Sequence, residues 1–225
     1  MKRIYVPSTG PDNWRRLLAD PSTQWETGFS AKALAYCWEA AEGLPKEIAD
    51  ILRTEENEPE LLLALPEHKV HLAGSALGAS QNDLFALTRV GPRTIAVTIE
   101  GKVDEPFDEL LSEWLAKASH RKHARLAYLC EVLGLEEHAL PLNLYYQLLH
   151  RTASAVIEAE RFKTDAAAML VHSFSPTNRW FDAFAHFASL FGCKAEPDRL
   201  IAVRPNGLRP LYLGWARGDA QFLTV

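Results

Sequence analysis

Three residues in the middle of the chain, Asp83, Glu100 and Lys102, are of the types that hold a divalent metal beside a scissile phosphate. Asp83 lies in a strand-like run, Asn82-Asp83-Leu84-Phe85-Ala86-Leu87. Glu100-Gly101-Lys102 ends an apolar, β-branched run, Ile95-Ala96-Val97-Thr98-Ile99, and Gly91-Pro92 punctuates the chain between the two. If the runs pair antiparallel about the Gly91–Pro92 bond, opposed residues have numbers summing to 183, so Asp83 faces Glu100. Opposed side chains share a sheet face with Cβ atoms about 4.5–5.5 Å apart. Lys102, two residues on, points to the same face.

Two carboxylates this close repel unless a cation sits between them. Mg²⁺, or Mn²⁺ in its place, takes oxygen ligands and is typically held by one or two carboxylates with water and substrate phosphate. Asp83 and Glu100 supply that set, and the Gly101 carbonyl is a further candidate oxygen. Lys102 is then the candidate for orienting water or stabilising charge at the reacting phosphate. The alternative is plain: strand-end residues facing solvent, with Asp83 capping a turn. A slip of one residue would separate the two carboxylates. A second Glu-x-Lys triplet, Glu67-His68-Lys69, follows Pro66, which argues against a central strand, and the preceding Leu61–Leu65 run carries no acid. Only the Glu100-Gly101-Lys102 copy has strand, turn and upstream Asp together.

The elements that must position these groups follow from periodicity and punctuation. Helices are expected over Pro11–Ala19, Ser30–Ala41 with Ser30 as N-cap, Lys46–Arg53, Phe107–Lys117, Arg121–Leu133 closed by Gly134, Asn143–Phe162 and Asn178–Phe191. Glu55 to Glu60 reads as a solvated loop, Leu61–Leu65 as either strand or helix, Lys69–Leu72 as strand and Gly74–Ser80 as loop. Ala167–His172 reads as a later strand. Leu200–Val203, Leu211–Trp215 and Phe222–Val225 read as a small β extension, with Arg217-Gly218-Asp219 turning between the last two.

This pattern resembles the PD-(D/E)XK, or restriction-endonuclease-like, nuclease superfamily: a helix, a meander carrying Asp and then Glu/Asp-x-Lys, a helix and a further strand. The resemblance covers about residues 30–175, and Asn82 stands where Pro often precedes the Asp. It implies an α/β fold with a mixed β-sheet flanked by helices, metal-dependent cleavage of nucleic acid, and DNA ahead of RNA as partner. Asp83, Glu100 and Lys102 are its implied catalytic residues. Glu39 on the first long helix, and Gln147 and Arg151 on the polar stripe of the later one, are accessory candidates. Three segments, Glu100–Phe107, His150–Ala155 and Val171–Pro176, are also similar to a bacterial family of uncharacterised proteins, which implies no activity. A restriction-endonuclease-like fold that binds nucleic acid or protein without cutting is the competing reading.

Composition bounds the rest. A chain of 225 residues, 48% hydrophobic, suits one domain, with the nuclease-like core followed by a C-terminal helix and β extension from about residue 176. No apolar run is long enough to span a membrane, and no signal peptide is visible, so a cytoplasmic location is expected, with a homodimer left open. Cys37, Cys130 and Cys193 read as buried, reduced thiols. A net charge of −5 weighs against avid nonspecific binding to nucleic acid, although a basic groove can coexist with an acidic exterior. The densest basic stretch, His120 to Arg125, reads as a solvated helix face or a phosphate contact. The pairs His68/His71 and His120/His123 invite zinc, but the thiols are not spaced to help. Walker and nucleophile-elbow patterns are absent.

Overall fold

The computed structural model describes residue 4 and residues 8–73, 78–116, 119–203 and 209–225. The beginning of the chain apart from Ile4, most of the expected 74–80 loop and the expected helix end at Lys117 therefore lie outside the described residues.

The chain enters through a 3₁₀ turn, Pro11–Leu17, then α1 (Pro21–Gln24), α2 (Ser30–Ala40) and α3 (Lys46–Leu52). Three strands follow, β1 (Pro59–Val70), β2 (Ser80–Val90) and β3 (Arg93–Lys102). Three helices come next, α4 (Leu111–Ala116), α5 (His120–Leu133) and α6 (Tyr146–Phe162), then β4 (Ala166–Ser173), α7 (Phe181–Ser189), β5 (Leu200–Val203) and β6 (Leu211–Arg217). One six-stranded sheet results, in the order β1-β2-β3-β4-β6-β5. It is mixed: β1, β2 and β3 form an antiparallel meander, β4 runs parallel to β3 and β6, and β5 is antiparallel to β6.

The β2–β3 hairpin has the expected register, from Val90↔Arg93 to Leu84↔Ile99. Gly91 takes φ +58°, the positive value that primed two-residue turns need at their first central position, and Pro92 supplies the second. That turn sets opposed residues of β2 and β3 at numbers summing to 183. β3 is buried from Ile95 to Lys102 and β4 throughout, as strands covered on both faces must be. On one face Leu84, Val97, Ile99 and Leu170 pack with α2 and α3. On the other, Phe85, Ala96, Met169 and Trp215 pack under α4 to α7.

Several local expectations change. Leu61–Leu65 is strand, part of a longer β1 that begins at Pro59 inside the expected acidic loop, where Glu60 pairs with Arg89. Pro66 is tolerated there because β1 is an edge strand. Ser30 is the first helical residue of α2 rather than its cap, and its N–H donates to Glu105 Oε1 at 3.1 Å instead. Gly134 does close α5 in the left-handed conformation. The C-terminal strands are no extension: β6 sits beside β4 inside the main sheet. Phe222–Val225 is not a strand, since Asp219 accepts the Gln221 N–H and starts a 3₁₀ turn, Ala220–Thr224. Four residues are too few for alternation to tell the two apart.

Candidate active site

The end of β3 carries two buried ions on one face. Glu100 is 2% exposed and Lys102 4%. Lys102 Nζ donates to Glu100 Oε1 at 2.7 Å, and Arg151 Nε of α6 donates to Glu100 Oε2 at 2.6 Å. Asp83, one step beyond the last ladder pair of β2, accepts the Gly101 N–H at Oδ2, 2.8 Å away. What Gly101 visibly contributes is thus its N–H. A third carboxylate joins from the edge strand. Pro66↔Leu84 and His68↔Asn82 bracket a position that sets Glu67 opposite Asp83. Glu67 adopts φ +53°, and its Oε2 accepts from Gln81 Nε2 at 2.7 Å. Glu67, Asp83, Glu100, Lys102, Gln147 and Arg151 all line one cavity of about 570 Å³.

Glu67 is the residue that local reasoning set aside. Its Glu-x-Lys triplet follows Pro66, which argues against a central strand but not against the edge strand that carries it. The available signal was the pairing of β1 with β2, which brings the neighbouring strand's acid onto the same patch.

Accessory candidates separate cleanly. Arg151 is central, and Gln147 lines the cavity with its Oε1 buried and without a hydrogen-bond partner. Glu39 is elsewhere. Its Oε1 accepts from Ser8 Oγ at 2.7 Å and Trp14 Nε1 at 3.0 Å, bracing the N-terminal 3₁₀ turn. It sits nine residues along α2 from Ser30, the helix end that reaches the cavity, and so about 13 Å further on.

The electrostatics are those of a patch with too many carboxylates. Burial, and then the charge of Asp83, push Glu67 up to about 8. Burial, and then the charge of Glu100, push Asp83 up to about 7. Burial also disfavours charge on Glu100, but Arg151 and Lys102 outweigh it and hold that carboxyl below the usual range. The patch therefore keeps protons at neutral pH that a cation would displace. The consequence for stability has a definite sign. These two carboxyls hold more protons in the folded protein than in the unfolded chain between the ordinary carboxylate range and about 8. Their contribution to stability therefore falls as pH rises through that window, whereas His150, which burial holds well below its ordinary value, contributes with the opposite sign. Thermal melts in EDTA should show wild type losing Tm relative to the Glu67→Gln and Asp83→Asn variants from pH 5 to 8, and Mg²⁺ should reduce that difference. A pH dependence of Tm unchanged by Glu67→Gln and Asp83→Asn would remove these two groups as its cause.

Zinc fares differently. His68 Nε2 lies 3.1 Å from Glu158, and His123 Nδ1 lies 3.9 Å from Glu137, so each of those two histidines has a carboxylate neighbour of its own. Among the described residues, three His/Cys/Asp/Glu ligand atoms come within 4.8 Å of one another only at Cys37, Glu47 and His172. The fold thus brings a thiol to a histidine that spacing did not suggest. The indole N–H of Trp38 donates to His172 Nδ1 at 3.3 Å, which places the ring proton on Nε2, 2.7 Å from Glu47 Oε1. Metal at Nε2 would have to displace that proton while Nδ1 is already capped. Burial and Glu47 push the Cys37 thiol up, so it stays protonated. This cluster is a hydrogen-bonded tie between α2, α3 and β4. The strand carboxylates are more widely spread, with Glu100 drawn onto its two cations.

Among the described residues no helix is long and apolar enough to cross a membrane. No curated protein and no solved structure matches the chain. A family model described as a domain of unknown function, DUF6946, matches residues 7–220, nearly the whole sequence, and the chain belongs to that family.

Proposed function

We propose that the protein is a metal-dependent nuclease that hydrolyses phosphodiester bonds of DNA or RNA, with DNA the first substrate to test. The observation that supports this reading is the meeting of half-buried Asp83 with buried Glu100 and Lys102 in one patch lining one cavity, with Glu67 added from the edge strand. The donor set fits a hard divalent ion: oxygen ligands only, three carboxylates against two cations, and two of the three carboxyls pushed up by burial and by a neighbouring carboxylate. Asp83 and Glu100 would hold Mg²⁺ or Mn²⁺, with Glu67 as a further oxygen donor. When bound, such an ion supplies an acidified water and neutralises charge on the phosphoryl oxygen. Lys102 places its ammonium at the reacting phosphate, and Arg151 holds Glu100 in position. Gln147 Oε1, buried and unpartnered, is an acceptor available to a water or substrate donor.

The test is a cleavage panel over plasmid, linear duplex, single-stranded DNA and RNA with Mg²⁺ and Mn²⁺, comparing wild type with Glu100→Ala and Lys102→Ala. Wild type should cut at least one substrate, and both variants should cut it far more slowly. Cleavage undiminished in both variants would place the activity elsewhere. Inactivity on every substrate would favour a fold that binds nucleic acid without cutting.

A further inference from the structure

A second cavity, of about 230 Å³, lies beside the first and has the opposite chemistry. It is lined by Ser80, Trp114, Lys122, Arg125, Tyr146 and His150, with no carboxylate among the described lining residues. Helix α6 stands between the two cavities. Gln147 and Arg151 line the acidic cleft, while Tyr146 and His150, each one residue earlier, line the basic pocket. Two stripes one residue apart on a helix are separated by less than its diameter of about 10–12 Å.

The pocket is built rather than incidental. Arg125 is 3% exposed and donates to Gly78 O at 3.0 Å. Lys122 donates to Trp114 O, with its Nζ 4.9 Å from the centre of the Trp114 ring. Trp114 in turn stacks on Tyr146, with ring centroids 4.0 Å apart. Arg151 Nη1 donates to Ser80 Oγ at 3.1 Å, and Ser80 Oγ lies 2.8 Å from His150 Nδ1. Because a guanidinium only donates, the Ser80 hydroxyl hydrogen goes to Nδ1, and the neutral ring carries its proton on Nε2 as a donor. Glu100, Arg151, Ser80 and His150 thus form one chain of contacts from cleft to pocket.

Resting on the nuclease reading, we infer that this pocket is the subsite for a terminal phosphate of the nucleic-acid strand whose phosphodiester is cut in the neighbouring cleft. Two fixed cations with no lining acid suit a dianion, which a terminal phosphomonoester is and an internal diester is not. The guanidinium, the ammonium and the imidazole N–H provide charge-assisted and neutral donors of the kind phosphate oxygens take. The closeness of the cavities then fixes which end of a strand is presented to the carboxylates.

The experiment is run in EDTA, so that binding is read without cleavage. Thermal shift with inorganic phosphate and titration of labelled oligonucleotides ending in 5′-phosphate, 3′-phosphate or hydroxyl are compared between wild type, Lys122→Met and Arg125→Met. Inorganic phosphate should raise wild-type Tm, and one phosphorylated end should bind about tenfold more tightly than the hydroxyl end. Both effects should vanish in Lys122→Met, which keeps the stem over Trp114 and a fold checked by its melt, whether or not Arg125→Met folds. A Tm rise with inorganic phosphate but no preference for either phosphorylated end would overturn the strand-end assignment. No phosphate effect in wild type, or an effect persisting in Lys122→Met, would overturn the subsite. Phosphate binding alongside a blank cleavage panel would instead remove the nuclease reading and leave an anion pocket.

Discussion

Lys102→Ala is expected to lower metal-dependent cleavage by about 10²–10³-fold, the usual effect of removing one preorganised charge from a reacting centre. Metal binding should survive, because the ammonium is not a ligand and repels the ion. Wild type and variant should therefore show comparable Mg²⁺-linked increases in Tm. Glu100 remains paired with Arg151, so the fold should persist. Lys102→Arg should rescue poorly: Lys102 Nζ lies 5.0 Å from the Phe107 ring centre in a nearly closed position, and a planar fork does not replace a compact ammonium there. Turnover that stays near wild type in Lys102→Ala would strip the residue of its role. A parallel loss of the metal-linked shift would assign it to binding instead.

Arg151→Met should produce the largest loss of stability. Arg151 is 8% exposed, pairs with Glu100 and donates to Ser80. Removing one partner of a buried ion pair costs about 3–5 kcal/mol. For a chain of this length that corresponds to a fall in Tm of about 6–20 °C. Part of the cost is the charge left on Glu100, so Glu100→Gln in the same chain should recover some of it, a non-additivity that a double-mutant cycle reads directly. Mg²⁺ should also recover part of it, since an ion held by the carboxylates replaces the missing positive charge. Strict additivity of the two substitutions would mean that the pair is not coupled, whatever its distance.

The readable part of this site is the part fixed by short-range geometry. A two-residue turn at Gly91-Pro92 determines which residues of β2 and β3 oppose each other, so Asp83 and Glu100 could be aligned by counting. Gln147 and Arg151 were readable as a polar stripe, but which stripe of α6 faces the cleft depends on how the helix docks on the sheet. Glu67 was not readable, because β1 joins β2 through a longer connection, and no two-residue turn fixes their register by counting. The C-terminal strands show a related limit: alternation identifies Leu211–Arg217 as a strand but says nothing of its neighbour, and long-range pairing with β4 placed it inside the sheet. Glu39 failed for a simpler reason, its distance along a rigid helix.

The kinked strand that carries Glu67 also guards the molecule against its own kind. A twelve-residue edge strand is a template on which another chain could polymerise. Here Ile4 bridges to Ala64 on that rim, Pro66 has no N–H to offer, and Glu67 turns the backbone into the left-handed region beside it. The opposite rim, β5, is only four residues long. Fibril growth by strand addition is discouraged at both rims, and a symmetric dimer would have to form through helices or loops rather than through a continuous sheet.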